Sequence, residues 1–226
     1  MITYPEANFA QNLREEILDN AAGLPPWPEI GGTAVNYTDA PHAYALDVTL
    51  MHDPWRTLDE IRTYGPSEVA DILLVERASG DGVIGSFSAV SGYIDTLHDP
   101  AGGAYNPSFD PVAYTLREEL ETECGFTDAS FDLVQFYAGE VSTYKRTRVP
   151  NSQISVVPIL GICTEKPEIT VDKEEVASYV WAALKKIGHF KNLSPGYAER
   201  TLPAALTIVG MDRPALLRHL YPLRQL

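Results

Sequence analysis

The segment from residue 111 to residue 125 constrains the fold of this chain more than any other stretch. Apolar side chains recur in it at four-residue spacing, at Val112, Leu116, Leu120 and Cys124. This period places them on one face of an α-helix that packs against a core. Gly125 follows where a glycine commonly ends a helix. We therefore predict a helix over residues 111–124 whose apolar stripe is covered by other elements.

The same helix carries four carboxylates within the seven positions 117–123. Glu119 and Glu123 lie one turn apart and share a face with Thr122. Like charges at this spacing destabilise a helix by about 0.2–0.5 kcal/mol, so their presence together indicates a functional role for the two carboxylates. Mg²⁺ binds through one or two carboxylates plus substrate phosphates, and this face offers such ligands. The alternative is an acidic helix face that is only solvated.

Strand and helix patterns are mixed along the rest of the chain. Period-two or β-branched segments predict strands, and amphipathic segments predict helices. The predicted extended segments cover 33–37, 44–51, 70–77, 83–94, 132–141 and 153–163, and the predicted additional helices cover 6–22, 55–64 and 182–190. Because the two types do not alternate regularly, the pattern favours the α+β class with a mixed sheet.

Charge and composition exclude several classes of partner. The chain has 17 Lys and Arg against 31 Asp and Glu, a net charge of −14. Such a polyanion is repelled by nucleic acid and by anionic membranes, so we predict neither as a partner. The longest apolar run, Val156–Ile162, is interrupted by Pro158 and is far shorter than the roughly 20 residues of a membrane span. Two cysteines and a beginning without signal-peptide features favour a cytoplasmic location.

The acidic helix and its surroundings resemble the signature of the Nudix hydrolases. That signature is G-x5-E-x7-R-E-U-x-E-E-x-G-U, where U is bulky and aliphatic. With Gly125 as the anchor, Glu119 takes the place of the glutamate in the R-E pair. Glu123 takes the place of the second glutamate of E-E, and Phe126 the final apolar position.

Three further blocks resemble the family in the expected order. Residues 72–77 are similar to the strand that precedes the signature, 87–95 to the W-x-x-P-G-G-x-x-E turn with Gly92 as its second glycine, and 172–181 to the acidic-to-Trp segment. The resemblance implies a Nudix-like α/β/α sandwich over residues 67–190. It leaves an N-terminal extension, 1–66, and a helical C-terminal tail packed on the domain, 191–226.

The sequence also departs from the signature. Thr122 stands at the first glutamate of E-E, and Glu118 stands at the arginine. Upstream, His98 stands at the glutamate, and an insertion of twelve residues separates it from the helix. Asp110 lies eight residues before Glu118 and is a candidate to replace the missing acid. Since Thr122 is a weak ligand, we expect lower metal affinity than in the family.

The resemblance implies a pyrophosphohydrolase that uses Mg²⁺ or Mn²⁺ to cleave a diphosphate linkage in a nucleoside diphosphate derivative. Glu119 and Glu123 are its predicted catalytic residues and metal ligands. The family further implies a ligand at the Gly92 carbonyl. A carboxylate from residues 165–175, with Glu175 or Glu174 preferred, completes the predicted site.

A basic cluster, consisting of Tyr144, Lys145, Arg146 and Arg148, is the candidate for substrate binding. Its cations attract phosphates, and Tyr144 can stack on a base. An exposed hairpin loop without function is the alternative. The extension and the tail are candidates for substrate choice or for forming a homodimer.

Two other functions stay open at this stage. One is a Nudix-fold protein that binds a nucleotide or sugar nucleotide without cleaving it, which Thr122, Glu118 and His98 favour. The other is a transcriptional regulator with a Nudix-like sensor. That function needs a basic winged-helix segment, and the tail Ser194–Leu226 contains only four arginines.

Overall fold

A mixed β-sheet lies at the centre of the fold. The computed structural model describes residues 1–22, 24, 35–37, 40–79, 84–100, 106, 108–146, 149–194 and 196–211. Its strands are β1 (Ile2–Thr3), β2 (His42–His52), β3 (Asp71–Arg77), β4 (Phe87–Ser88), β5 (Val90–Tyr93), β6 (Gln135–Ala138), β7 (Ser142–Lys145), β8 (Gln153–Cys163) and β9 (Val176–Ala183). Its helices are α1 (Phe9–Asn20), α2 (Leu58–Tyr64), α3 (Pro111–Cys124), α4 (Asp128–Asp132) and α5 (Leu202–Thr207), with a 3₁₀ helix over Leu184–His189 and a π-helical turn over Tyr197–Thr201.

The sheet combines parallel and antiparallel neighbours, in the order β1-β6-β8-β2-β3-β4. β2 pairs in parallel with β8 over its whole length, from His42 opposite Gln153 to His52 opposite Cys163. β1 is also parallel to β6, whereas β3, β5, β7 and β9 join the sheet by antiparallel pairing. Helices and a mixed sheet together confirm the predicted α+β class.

Two apolar cores lie on opposite faces of the sheet. Strand side chains alternate between the faces, so in β8 Val157 and Ile159 enter one core while Leu160 and Ile162 enter the other. The first core includes residues of α1 and the stripe of α3, and the second includes residues of α2 and α5. The result is a sheet with helices on both faces. No helix among the described residues is both long and apolar enough to cross a membrane.

The first 66 residues contribute to the same sheet as the predicted domain over 67–190. β2 lies between β8 and β3, and β1 lies beside β6 at the edge. Both faces of β2 are buried for most of its length, which is typical of a central strand. The segment predicted as an extension therefore supplies a central strand.

Some predicted boundaries differ from the observed ones. The predicted helix over 182–190 is a 3₁₀ helix of six residues, because β9 continues its pairing with β3 as far as Ala183. The predicted strand over 132–141 is shorter, since α4 occupies 128–132. In the predicted tail, Leu202 and Leu206 of α5 are fully buried. Residues 212–226 of that prediction lie outside the described residues.

Candidate active site

Helix α3 is fixed at both ends, and this determines where its acidic face points. Asp110 is the N-cap, and its Oδ1 accepts hydrogen bonds from the N–H groups of Val112 and Ala113 at 3.0 Å each. Its other oxygen accepts the hydroxyl of Tyr4 at 2.5 Å. Gly125 ends the helix with φ of 66°, a conformation that glycine adopts without strain. Asp110 is thus engaged in capping and does not replace the missing acid of the signature.

The acidic face of α3 borders a cavity of about 750 Å³. Strands β5, β2, β8 and β7 are successive neighbours in the sheet, and each contributes to its wall. The lining side chains of β2 and β8 alternate as strand geometry requires, and they are Ala45, Asp47, Ile154 and Val156. The cavity also contains Gly92, Glu118, Glu119, Glu123, Tyr144 and Glu175.

Glu123 has one oxygen in an ion pair and one oxygen free of hydrogen bonds. Its side chain is 1% exposed. Oε1 accepts a hydrogen bond from Nη1 of Arg77 at 2.7 Å, whereas Oε2 is buried without a hydrogen-bond partner. Burial raises the pKa of Glu123 to about 7, although Arg77 acts in the opposite direction. A buried carboxylate oxygen without a partner is costly, so this atom is suited to a cation.

Glu119 packs directly on the backbone of Gly92. A Cβ atom at position 92 would overlap the Glu119 carboxylate, so the close approach requires glycine. Burial raises the pKa of Glu119 to about 8, and the negative charges of Glu123, Glu175 and Glu118 add to the effect. The structure therefore brings together two glutamates and a glycine that the sequence pattern singles out.

Glu175 and Glu118 complete the acidic side of the cavity. Glu175 directly precedes β9, and its backbone carbonyl accepts the N–H of Ala78 at 2.8 Å. Its negative charge contributes to the raised pKa values of both Glu119 and Glu123. Glu118 lines the cavity as well, whereas Thr122 is exposed and lies outside it. Thr122 therefore does not contribute to the lining of this cavity.

The residues present fit a hard divalent cation in part. The partnerless Oε2 of Glu123 and the carboxylate of Glu119 against Gly92 are oxygen ligands of the kind that Mg²⁺ prefers. Within the described part of the chain, no three His, Cys, Asp or Glu side chains converge on a common point. A site of two carboxylates, completed by substrate phosphates and water, is consistent with both observations.

Arg77 and Asp47 are charged residues of the cavity that are not among the predicted site residues. Arg77, the last residue of β3, also donates hydrogen bonds to the backbone carbonyl and the hydroxyl of Ser91. Asp47 lies on β2, where its Oδ2 accepts the hydroxyl of Thr201 at 2.6 Å, and burial raises its pKa. The only sequence signal for Arg77 is its place at the end of residues 72–77, which resemble the strand that precedes the signature, and Asp47 has no such signal.

The predicted basic cluster is divided by the structure. Tyr144 lines the cavity, and Lys145 is exposed outside it. Arg146 turns inward, where it donates a hydrogen bond to the carbonyl of Tyr37 at 2.8 Å and lies 5.9 Å from the ring centre of Tyr93. Arg148 lies outside the described residues. Instead, Arg200 from the tail lies 5.0 Å from the ring centre of Tyr144 and lines the cavity.

Comparisons with known proteins give similarity at the level of structure. No family model matches the chain, and no curated protein sequence matches it significantly. A MutT Nudix hydrolase from Burkholderia pseudomallei is 15% identical, with 74% of this chain and 98% of that chain covered and a TM-score of 0.45. The Nudix domain of Shewanella oneidensis NrtR, solved with ADP ribose, is 13% identical, with 69% of this chain and 81% of that chain covered and a TM-score of 0.46.

A MutT/nudix family protein from Enterococcus faecalis is 16% identical, with 95% of this chain and 80% of that chain covered and a TM-score of 0.45. Nudix hydrolases are thus among the solved structures similar to this chain. The activity of the chain has to be inferred from its own cavity and carboxylates.

Proposed function

We propose that this protein is a metal-dependent pyrophosphohydrolase of the Nudix type, which cleaves a diphosphate linkage in a nucleotide derivative. The observation that carries the proposal is the pair Glu119 and Glu123. They project from one helix into one cavity, where Glu119 rests on Gly92 and Glu123 keeps a buried oxygen without a partner. The cavity is large enough for a nucleotide-sized ligand.

The acidic lining explains why a cation is needed. Among the described residues, six carboxylates face the cavity against two arginines, and the six are Asp47, Asp95, Glu118, Glu119, Glu123 and Glu175. Without a cation this surface repels a diphosphate. Mg²⁺ or Mn²⁺ held by Glu119 and Glu123 would neutralise phosphate oxygens and lower the pKa of a coordinated water molecule.

The side chains have separate tasks in the proposed reaction. Glu123 is the first ligand of the cation, and Arg77 fixes its carboxylate by the 2.7 Å ion pair. Glu119 is a second ligand or accepts a proton from the attacking water. Its pKa of about 8 in the absence of a cation lies close to neutrality, where a general base is effective. The Gly92 carbonyl and Glu175 are proposed as further ligands.

Substitution of Glu123 tests the proposal. We expect Glu123→Gln to reduce Mg²⁺-dependent hydrolysis of ADP-ribose, NADH, dinucleoside polyphosphates or nucleoside triphosphates at least a hundredfold. It should also weaken Mn²⁺ binding measured by calorimetry. Glu121→Gln is the matched control, because Glu121 is on the same helix but is exposed and paired with Arg117 at 2.7 Å. Unchanged turnover in Glu123→Gln contradicts the proposal.

A binding protein without hydrolytic activity is the second candidate. The observation in its favour is that Arg77 already supplies a positive charge to Glu123, the residue on which a cation depends. In that case the same ligands should raise the melting temperature of the protein, while no phosphate product appears with either Mg²⁺ or Mn²⁺. Thermal shift and product release on one panel therefore separate the two functions.

A further inference from the structure

Asp47 lines the cavity, and the proposed reaction gives it no separate task. It lies on β2, directly opposite Ser91 of β5 in the strand register. The Cα atoms of such a pair are about 5 Å apart, and the two side chains lie on the same face of the sheet. Gly92 follows Ser91, so its Cα atom lies about 6 Å from that of Asp47. Asp47 is therefore close to the place where Glu119 rests on Gly92.

Arg77 connects Asp47 with the proposed metal ligands. Successive side chains of a strand point to opposite faces, so Ser91 and Asp47 lie on one face of the sheet and Glu119 lies against the other. The Arg77 guanidinium joins the two sides, because it donates to Glu123 through Nη1 and to the Ser91 hydroxyl through Nη2. All of these residues line one cavity. A substrate held at Glu119 and Glu123 can therefore extend onto Asp47.

Thr201 fixes the carboxyl group of Asp47 and leaves one of its oxygens open. The Thr201 hydroxyl donates a hydrogen bond to Oδ2 of Asp47 at 2.6 Å. Thr201 ends the π-helical turn, and this turn is held in place by Tyr197, which is 2% exposed in the second core. No other described residue forms a hydrogen bond with the Asp47 carboxyl group. Because Oδ1 is also not fully enclosed, it is accessible from the cavity.

A hydroxyl group is the ligand that suits Oδ1 of Asp47. Burial raises the pKa of Asp47, while Thr201 and the two arginines of the cavity oppose the shift. A hydroxyl group forms a hydrogen bond with either form of the acid, since it donates to the carboxylate and accepts from the protonated carboxyl group. The amino group of a base can only donate, and a phosphate is repelled by the carboxylate, so neither suits both forms.

The short distance between Asp47 and Gly92 indicates which hydroxyl group this is. The sugar of a nucleotide is attached directly to the phosphates, whereas the base lies one ring further away. Asp47 is only one strand from Gly92, a spacing of about 4.8 Å, so the sugar is the group beside it. We infer that Asp47 is a specificity-determining residue that binds a hydroxyl group of the ribose next to the scissile diphosphate, with Thr201 as its positioning residue. The inference rests on the proposed function for the position of the phosphates.

Nucleotides that differ in a single sugar hydroxyl test the inference. ATP and ADP-ribose are each compared with their 2′-deoxyadenosine and 3′-deoxyadenosine analogues, by kcat/KM for Mg²⁺-dependent hydrolysis. We expect the parent protein to prefer ribose over at least one deoxy sugar about tenfold, the effect of losing one hydrogen bond to a charged group. In Asp47→Ala this preference should disappear. A ratio of kcat/KM values is independent of the fraction of folded enzyme, so partial misfolding does not mimic the result.

Substitutions of Thr201 test its positioning role. Thr201→Val removes the hydroxyl that fixes Oδ2 of Asp47, so the preference for ribose should fall severalfold. Thr201→Ser keeps the hydroxyl and should retain the preference. Asp59→Ala is the matched control for loss of a carboxylate, because Asp59 is exposed on α2 and does not line the cavity, and it should leave the preference unchanged.

Two results overturn the inference and leave the proposed function intact. One is equal kcat/KM of the parent protein for ribose and for both deoxy sugars, and the other is a preference that persists in Asp47→Ala. Absence of Mg²⁺-dependent hydrolysis of the whole nucleotide panel contradicts the proposed function instead. Where neither ATP nor ADP-ribose is hydrolysed, the dissociation constants of ATP and its two deoxy analogues decide about Asp47 by the same criterion.

Discussion

Arg77 holds one carboxylate oxygen of Glu123 at 2.7 Å and leaves the other oxygen buried without a partner. The arginine comes from the end of β3 and the glutamate from the last turn of α3, so the contact joins a strand to the helix. The same guanidinium is bonded to Ser91, next to Gly92. Arg77 therefore connects the three elements that bring the candidate ligands together.

Removal of this arginine should destabilise the protein. In Arg77→Met, the buried Glu123 loses its hydrogen-bonded partner and takes up a proton, since its pKa is already about 7, and leaving a buried polar group unpaired in this way costs about 1–3 kcal/mol of unfolding free energy. Urea denaturation measures the loss. The double variant Arg77→Met/Glu123→Gln should recover part of it, because no buried ionisable group then has to take up a proton. A double variant as unstable as the single one contradicts this explanation.

Gly92→Ala should destabilise the protein through Glu119. The added Cβ overlaps the carboxylate and forces the helix or the strand to move, which costs about 1–3 kcal/mol in a packed interior. When Glu119→Ala is present as well, the same alanine at position 92 should cost much less. A double-mutant cycle of thermal unfolding measures the coupling, and additive effects of the two substitutions argue against the contact.

The stability of the metal-free protein should decrease as the pH rises. Folding raises the pKa values of Glu119 to about 8 and Glu123 to about 7, from an ordinary value of 4.5. The folded state therefore binds these protons more tightly, and their stabilising contribution is complete below pH 4.5 and lost as the pH rises through 8. We expect the melting temperature measured in EDTA to fall from about pH 5 through about pH 7 to about pH 8.5.

Added Mg²⁺ should oppose this loss, since a cation binds the deprotonated carboxylates. The rise in melting temperature with Mg²⁺ should thus be larger at alkaline pH than at acidic pH. The double variant Glu119→Gln/Glu123→Gln is the control, and both its pH dependence and its response to Mg²⁺ should be smaller. Equal responses in the parent and in this variant rule out the two glutamates as their source.

Asp110→Ala should destabilise the start of α3. The substitution removes the acceptor of two helix N–H groups, and loss of an N-cap costs about 1 kcal/mol. Tyr4→Phe removes only the 2.5 Å bond to the other oxygen and should have a smaller effect. Hydrogen exchange of the first turn of α3 distinguishes the two, since only Asp110→Ala removes its cap.

Local patterns predict α3 and the placement of its two glutamates well. The apolar stripe determines which face of the helix is buried, and Gly125 determines where the helix ends, so the positions of Glu119 and Glu123 follow from the sequence. Motif and composition also indicate Gly92 and Tyr144. Local periodicity determines which face of its element each of these residues occupies.

The remaining features of the site depend on pairing between distant segments. Asp47 enters the cavity because β2 lies next to β8, and Arg200 enters it because α5 packs on the second core. No local pattern encodes which strand lies beside which. For the same reason, composition alone does not show that residues 1–66 supply a central strand, or that Arg146 donates a hydrogen bond to the carbonyl of Tyr37.

The parallel pairing of β2 with β8 has a consequence for synthesis on the ribosome. β2 is translated early, but the strand that covers one of its edges begins only at Gln153. At about 5–20 residues per second, β2 waits on the order of ten seconds for this partner. During that interval an apolar strand destined for the interior has an uncovered edge. Nascent chains of this protein should therefore depend on chaperones more than chains whose central strand is made last.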